Sequence, residues 1–281
     1  MRVIREIPLL RSVLPATEIC LVPTMGNLHH GHLALVKEAR LHAECVAVSI
    51  FVNRLQFGPH EDFDKYPRTF SEDVDKLEAA GVDVLFAPDE TSLYPARQTV
   101  VVTPPPFADD LEGRFRPGFF HGVATVVLKL FNCVHPTVAI FGKKDYQQLL
   151  VIQSMVEQLN VPISIVGSEI VRDSDGLALS SRNTYLSKEE RTEAPALYAV
   201  LRKAARRIID NPGDVLPTCE QASQELTHRG WRCDYIEARR RSDLGLPERE
   251  DSNLVLLGAA RLGNTRLIDN IEFNTAPSAA L

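Results

Sequence analysis

Along the first half of the chain, short runs of consecutive apolar residues alternate with longer segments whose apolar positions recur every three or four residues. The runs "EICLV" (18–22), "CVAVSIFV" (45–52), "VDVLFA" (82–87) and "TVAIF" (137–141) predict buried strands. Between them, "GHLALVKEARLH", "TFSEDVDKLEAAG" and "FFHGVATVVLKLFNCV" carry helical spacing; in the last, Val123, Val126, Val127, Leu130, Phe131 and Val134 form the apolar set. The opening "MRVIREIPLLRSVLPA" reads as an ordinary first strand and helix, because Arg2, Arg5, Glu6 and Arg11 break the apolar centre that a signal peptide requires. Such alternation predicts an α/β fold in which a mainly parallel sheet is covered on both faces by helices. Sheets of this kind bind ligands at the carboxyl ends of their strands. Residues 23–32, 53–66 and 142–145 are therefore expected on one rim.

The pattern changes after "SEIVRDSDGLALSSRN". "YLSKEERTEAPALYAVLRKAARRIID" opens on a capping-box pair, Ser187 and Glu190, and reads as one helix up to Asn211-Pro212-Gly213. A second helix is expected around residues 217–228, then strands at "RCDYIEARR", "SNLVLLGAARLG" and "TRLIDN". These predict a smaller α+β domain of about one hundred residues. The expected division is 1–174 and 175–281, inside a window at residues 173–185.

Composition narrows the partners. A chain of 281 residues fits two domains. The net charge of −6 provides no global field for nucleic acid, so a polyanionic ligand requires a local cationic cluster. No apolar run approaches the ~18 residues of a membrane span. The five cysteines (Cys20, Cys45, Cys133, Cys219, Cys233) are scattered and form no C-x-x-C pair. A reducing, cytoplasmic compartment is expected, with neither a disulfide framework nor structural zinc.

Five stretches can carry chemistry. "PTMGNLHHGH" (23–32) places three of the eight histidines within four residues, directly after a strand and where Gly31-His32 opens a helix. A helix start offers free N–H groups and a positive dipole end, and Gly26 permits close backbone approach. His29 and His32 can add hydrogen bonds to phosphate oxygens. A metal site from His29, His30 and His32 and a solvated turn are the alternatives, although the stretch holds no Asp, Glu or Cys. "FGKKDYQQ" (141–148) supplies Lys143 and Lys144, as phosphate contacts or as solvated lysines, with Asp145 placed to cap a helix. "DGLALSSRN" (175–183) offers two hydroxyls and a guanidinium to an oxyanion, or is a polar linker. "FVNRLQFGPHEDFDKYPRT" (51–69) delivers Asn53 and Gln56 to a polar loop suited to a small substrate, with Asp62 and Asp64 as metal ligands or solvated acids. "GRFRPGFFHGV" (113–123) brings Arg114, Arg116 and His121 to a helix start, as anion contacts or caps.

Taken in order, "PTMGNLHHGH", "FVNRLQF", "YPRT", "RPGFFHGV", "FGKKDYQQ" and "DGLALSSRN" resemble the motifs of the pantothenate synthetase (pantoate–β-alanine ligase) family. The first is similar to the HIGH-type signature of the wider nucleotidyltransferase superfamily. The likeness continues to "ARLGNTRLIDN". It implies a Rossmann-like N-terminal domain, a smaller C-terminal lid domain and a homodimer. It also implies condensation of (R)-pantoate with β-alanine through a pantoyl-adenylate, ATP being cleaved to AMP and pyrophosphate with magnesium present. Neither nucleic acid nor membrane is an implied partner.

Carried onto this sequence, the resemblance implies an ATP site of Met25, Gly26, Asn27, Leu28, His29, His30, Gly31, His32, Gly142, Lys143, Lys144, Asp145, Val171, Leu179, Ser180, Ser181 and Arg182. His32, His29 and Lys144 would be catalytic. Gln56 would bind pantoate and β-alanine, Gln148 pantoate, and Asn53 would lie close enough for substrate contact. No metal ligand is implied. Four positions depart from the family pattern: Arg54 for Pro, Lys143 for Glu, His30 for an acid and His121 for Arg. Lys143 reverses a local charge, which bears on ATP affinity. A nucleotidylyltransferase that stops at the nucleotidyl product and a non-catalytic nucleotide sensor are the rival readings.

Overall fold

Burial alternates residue by residue through the first sheet, which fixes its architecture. In the second strand Ile19 and Leu21 face one layer of helices, Cys20 and Val22 face the other, and none is more than 4% exposed. A strand buried on both faces belongs inside a parallel sheet. The computed structural model describes residues 1–59 and 61–275, in two units, Met1–Val171 and Arg172–Leu281.

The first unit runs β1 (Arg2–Ile4), α1 (Ile7–Val13), β2 (Ile19–Thr24), α2 (His30–Ala39), β3 (Cys45–Ile50), α3 (Phe70–Ala79), β4 (Val84–Phe86), α4 (Glu90–Leu93), α5 (Glu112–Phe115), α6 (Phe119–Val134), β5 (Val138–Gly142), α7 (Tyr146–Gln158) and β6 (Ser164–Ser168). The six strands are all parallel, in the order β1-β4-β3-β2-β5-β6. Helices α1, α6 and α7 bury their apolar faces on one side, α2 and α3 on the other. From β2 the chain steps to β3 and β4 in one direction, whereas β5 and β6 lie on the other side of β2. The order therefore reverses between β2 and β5, where the loops leaving the two strands diverge and open a crevice. Those loops are residues 25–29 and 143–145.

β6 lacks the unbroken apolar run of the other strands: it is an edge strand with no fully buried residue, so its sequence does not announce it. The five cysteines are all free thiols, four of them buried. No helix among the described residues is long and apolar enough to cross a membrane.

The second unit runs α8 (Lys188–Glu193), α9 (Ala196–Asp210), α10 (Val215–His228), β7 (Arg232–Arg240), β8 (Asn253–Leu262) and β9 (Thr265–Asn274). Its three strands form an antiparallel sheet, β7-β8-β9, whose core-facing residues meet Leu197, Val200, Leu201 and Ile208 of α9. The Ser187–Glu190 capping box forms with both of its hydrogen bonds. The helix it opens is short, however, because Pro195 has no N–H to continue the ladder, and α9 restarts after it. β9 reaches Asn274, beyond the predicted "TRLIDN", because β8 pairs with it along its whole length. Arg172 forks onto Asp269 at 2.6 and 2.8 Å and stacks on the Tyr198 ring, fastening the start of this unit to its sheet.

Candidate active site

The loop after β2 is set by two consecutive left-handed residues, Gly26 (φ +79°) and Asn27 (φ +49°). A Cβ at position 26 would lie 3.1 Å from both Asp73 Oδ2 and Ile50 Cγ2, so glycine suits the space as well as the angle. This turn points the N–H groups of Asn27 and Leu28 at the Asp73 carboxylate, at 2.8 and 2.7 Å. Lys76, one turn further along α3, donates to the Leu28 carbonyl at 2.9 Å. Leu28 is buried in the core and His30 is exposed.

His29 is the N-cap of α2, with extended backbone (φ −131°, ψ 175°). Its Nδ1 accepts the Gly31 N–H at 3.1 Å, and the His29 N–H donates in turn to His32 Nδ1 at 3.3 Å. This is a capping box made of two imidazoles, their ring centroids 4.0 Å apart. Because each Nδ1 is an acceptor, each ring carries its proton on Nε2 and presents one Nε2–H donor. Burial first, then the positive charge of Lys144, lowers the His29 pKa to about 4; Lys76 and His30 add to the shift and Asp145 opposes it. Burial lowers His32 to about 3, with His29, Lys144 and Lys76 adding to it. Both rings are neutral near pH 7. The metal reading of His29, His30 and His32 loses its basis, since both Nδ1 atoms are engaged and no group of three or more His, Cys, Asp or Glu among the described residues could hold a metal ion.

These depressed values carry a stability consequence with a definite sign. Native His29 and His32 resist protons that the unfolded chain accepts at its ordinary pKa of 6.5. Their contribution is fully present above pH 6.5 and declines as the pH falls toward 4. Urea unfolding at pH 7 and pH 5 should show a loss of about 3–4 kcal/mol from the pair, divided about equally between the rings. The loss should shrink in His32→Gln, which cannot titrate; an equal loss in that variant would contradict the assignment.

On the other side of the crevice, Gly142 ends β5, and residues 143–145 make one turn of 3-10 helix before α7. The field of Lys144 reaches both imidazoles. Lys143 instead forms an ion pair with the exposed Glu169, which compensates the charge its substitution introduces. Asp145 occupies the N-cap position of α7 but makes no side-chain cap bond, contrary to the sequence expectation. The adjacent amides divide their work. Gln147 is buried, donating to the carbonyls of Phe107 and Asp110 and accepting from the Glu112 N–H. Gln148 is half-buried, one position further round α7.

Beyond β3, Asn53 is wholly buried rather than open to a ligand. Its Nδ2 donates to Gln56 Oε1 and to the Gly122 carbonyl, both at 3.1 Å, while its Oδ1 accepts from the Tyr94 hydroxyl at 2.9 Å. With these bonds made, Asn53 holds Gln56. Gln56 Nε2 lies 3.0 Å from Met25 Sδ, which joins this region to the β2 loop. Gly122 permits the packing, because a Cβ there would sit 2.2 Å from the Leu55 carbonyl oxygen. The arginines expected as anion contacts or caps are engaged by acids: Arg114 by Asp110, and Arg116 by Glu61 and Glu112. Arg54 pairs with Glu90 and lies over the Phe63 ring. His121 is half-buried in the first turn of α6, whose N-cap is Gly118 with no side-chain cap.

Val171 closes the first unit, and the remaining predicted residues belong to the second. There Ser180 Oγ accepts the Arg182 N–H at 3.2 Å and caps the 3-10 turn at Ser181–Tyr185. Ser181 is buried, while Leu179, Ser180 and Arg182 are half-buried. Asn183 ties the turn to the Ala178 carbonyl at 3.0 Å.

The first unit thus gathers two neutral N–H donors, an ammonium group and a helix N-terminus at the crevice, with Gln56 and Met25 beside them. Such a set can hold phosphate oxygens and receive charge that develops on them. Sequence reasoning missed Asp73, Lys76 and Gly122. Each meets its partner only through the fold, and an acid in the first turn of an amphipathic helix reads as solvated.

Comparisons with known proteins agree on one family. The model of the family described as pantoate-beta-alanine ligase matches residues 2–272. The pantothenate synthetase of Nitrosospira multiformis is 54% identical over 273 residues, covering 97% of this chain and 98% of the relative. That of Laribacter hongkongensis is 57% identical over 274 residues, covering 97% and 99%. A crystal structure of pantothenate synthetase from Thermus thermophilus superposes with a TM-score of 0.92 at 44% identity, covering 97% and 99% of the two chains. The pantoate-beta-alanine ligase of Francisella tularensis, solved in complex with a form of ATP and β-alanine, gives 0.82 at 33%, covering 97% of each.

Proposed function

The chain belongs to the pantoate-β-alanine ligase family, and on that premise we propose how its own residues divide the ATP-dependent joining of pantoate to β-alanine. A carboxylate does not expel oxide, so the acid must first be converted to a better acyl donor. The pantoate carboxylate attacks the α-phosphorus of ATP; the bond to the bridging oxygen breaks and pyrophosphate leaves. The β-alanine amine then attacks the acyl carbon of the pantoyl-adenylate, AMP departs and the amide remains. Neither step needs a covalent bond to the enzyme. The enzyme positions the reactants and receives charge.

The observation that carries this reading is the imidazole capping box. It supplies two Nε2–H donors at the N-terminus of α2, beside Lys144. His29, His32 and Lys144 are proposed to bind the phosphates and take up charge as pyrophosphate leaves. Residues 25–28, His30, Gly31, Gly142, Lys143, Asp145 and Val171 complete the first unit's part of the nucleotide site. Leu179, Ser180, Ser181 and Arg182 are the second unit's contribution, and that unit is proposed to shield the adenylate from water. Gln56 and Gln148 would grip pantoate as neutral amides, which orient a carboxylate without quenching its nucleophilicity, and Gln56 would also meet β-alanine. The chemistry of the donor set fits a magnesium ion carried by the triphosphate, since Mg2+ usually keeps several waters and is held largely by phosphate oxygens. Bound so, it would screen the charge of the departing pyrophosphate. A homodimer working in the cytoplasm completes the proposal.

An AMP-formation assay tests it. AMP should appear only when ATP, pantoate and β-alanine are all present, whereas a nucleotidylyltransferase would release pyrophosphate and no AMP. In Gln148→Ala the pantoate concentration needed should rise at least about tenfold with ATP binding nearly unchanged, the scale of one lost hydrogen bond to a charged group. Equal loss of both affinities by calorimetry would contradict the assignment.

A further inference from the structure

Asp73, on α3, is the most buried carboxylate of the first unit among the described residues, at 1% exposed. Asp73 receives the Asn27 and Leu28 N–H groups at 2.8 and 2.7 Å and the Thr69 hydroxyl at 3.2 Å. Two successive left-handed residues, Gly26 and Asn27, make those N–H groups converge. Converging backbone N–H groups of this kind form a concavity that takes anions. Here the chain's own carboxylate occupies it, so it is closed to phosphate, and a triphosphate is left to the donors at the head of α2. The two carboxylate oxygens hold the backbone immediately before the imidazole cap, since Leu28 adjoins His29. Lys76 holds the Leu28 carbonyl from the same helix.

We propose that Asp73 is a positioning residue for adenylation: by filling the backbone concavity at residues 26–28, it fixes where His29 and His32 present their donors. The contact is made wholly within the chain. Its effect on rate rests on the catalytic roles given to those histidines above. The two are separable, because one is read in backbone amides and the other in turnover.

The test compares Asp73→Asn with the parent enzyme. An amide has one acceptor oxygen, so its NH2 group is forced against one of the two N–H donors. The downfield amide proton signals of Asn27 and Leu28 should move upfield in the ligand-free variant. Its kcat for AMP formation should fall about tenfold or more, the scale of one hydrogen bond to a charged group. KM for pantoate should stay within about twofold, because Asn53 also holds Gln56 and Gln148 lies on α7, outside the 26–28 turn. Moved amide signals with kcat unchanged would overturn the proposal, as would a change confined to KM. If Asp73→Asn does not fold, Thr69→Val removes only the hydroxyl at 3.2 Å. It should lower kcat by about threefold or more, the scale of one neutral hydrogen bond, and an unchanged kcat would overturn the proposal. Full activity in His32→Gln would instead count against the histidine assignment and leave the amide signals of the Asp73 contact unaltered.

Discussion

Replacing Lys144 with alanine lowers the rate of pyrophosphate release in a single turnover by about a hundredfold or more, the scale expected for loss of one preorganised charge-stabilising donor. Lys144 stands in the turn between β5 and α7, and its charge is felt at both His29 and His32. In the ground state that charge helps keep the rings neutral. As pyrophosphate leaves, it meets negative charge that the neutral rings cannot balance alone. Lys143 is the internal control. Its ammonium is paired with Glu169, so Lys143→Ala should change the same rate by less than about fivefold, within the range of a half-exposed ion pair. Equal losses in the two variants would assign the effect to the general cationic character of the turn. An unchanged rate in Lys144→Ala would remove that residue from the mechanism.

The second large effect separates the two jobs of His32. A glutamine three residues into a helix is the ordinary partner of a capping box, so His32→Gln can still accept the His29 N–H. It loses the Nε2–H donor. The adenylation rate should fall about a hundredfold or more, with unfolding free energy at pH 8 within about 0.5 kcal/mol of the parent. His32→Ala loses both acceptor and donor. It should match the rate loss and add about 1 kcal/mol of destabilisation, the usual worth of a cap. If both variants lost stability and rate in parallel, the ring would be structural and the donor assignment wrong. His29→Asn offers the same separation at the N-cap, where asparagine is among the best acceptors.

How much of this was legible in the sequence depended on whether a residue's partner was near in the chain. Strands β2 to β5 were readable because each is buried on both faces and its apolar run is unbroken. β6 was not, since an edge strand keeps polar and half-exposed positions. The histidine cluster and the lysine pair stood out because strand, glycine and helix start follow one another within ten residues. The charge state of the imidazoles did not, for it depends on burial and on Lys144 from the far side of β2. Asp73 and Gly122 were invisible for the same reason: the backbone and amide groups they meet lie 45 or more residues away in the chain. Asn53 was identified as a candidate for substrate contact, but its engagement with Gln56, Gly122 and Tyr94 shows only in the fold. Arg114 and Arg116 read equally as anion contacts or caps until their acids came into view.

The central claim is that His29 and His32 work as neutral donors whose tautomer the fold dictates. Imidazole 15N chemical shifts of the ligand-free enzyme, followed from pH 8 to pH 5, report that directly. Both rings should show a protonated Nε2 and a bare Nδ1 throughout, with no titration near 6.5. A ring that gains a proton near that pH, or carries it on Nδ1, would contradict the account.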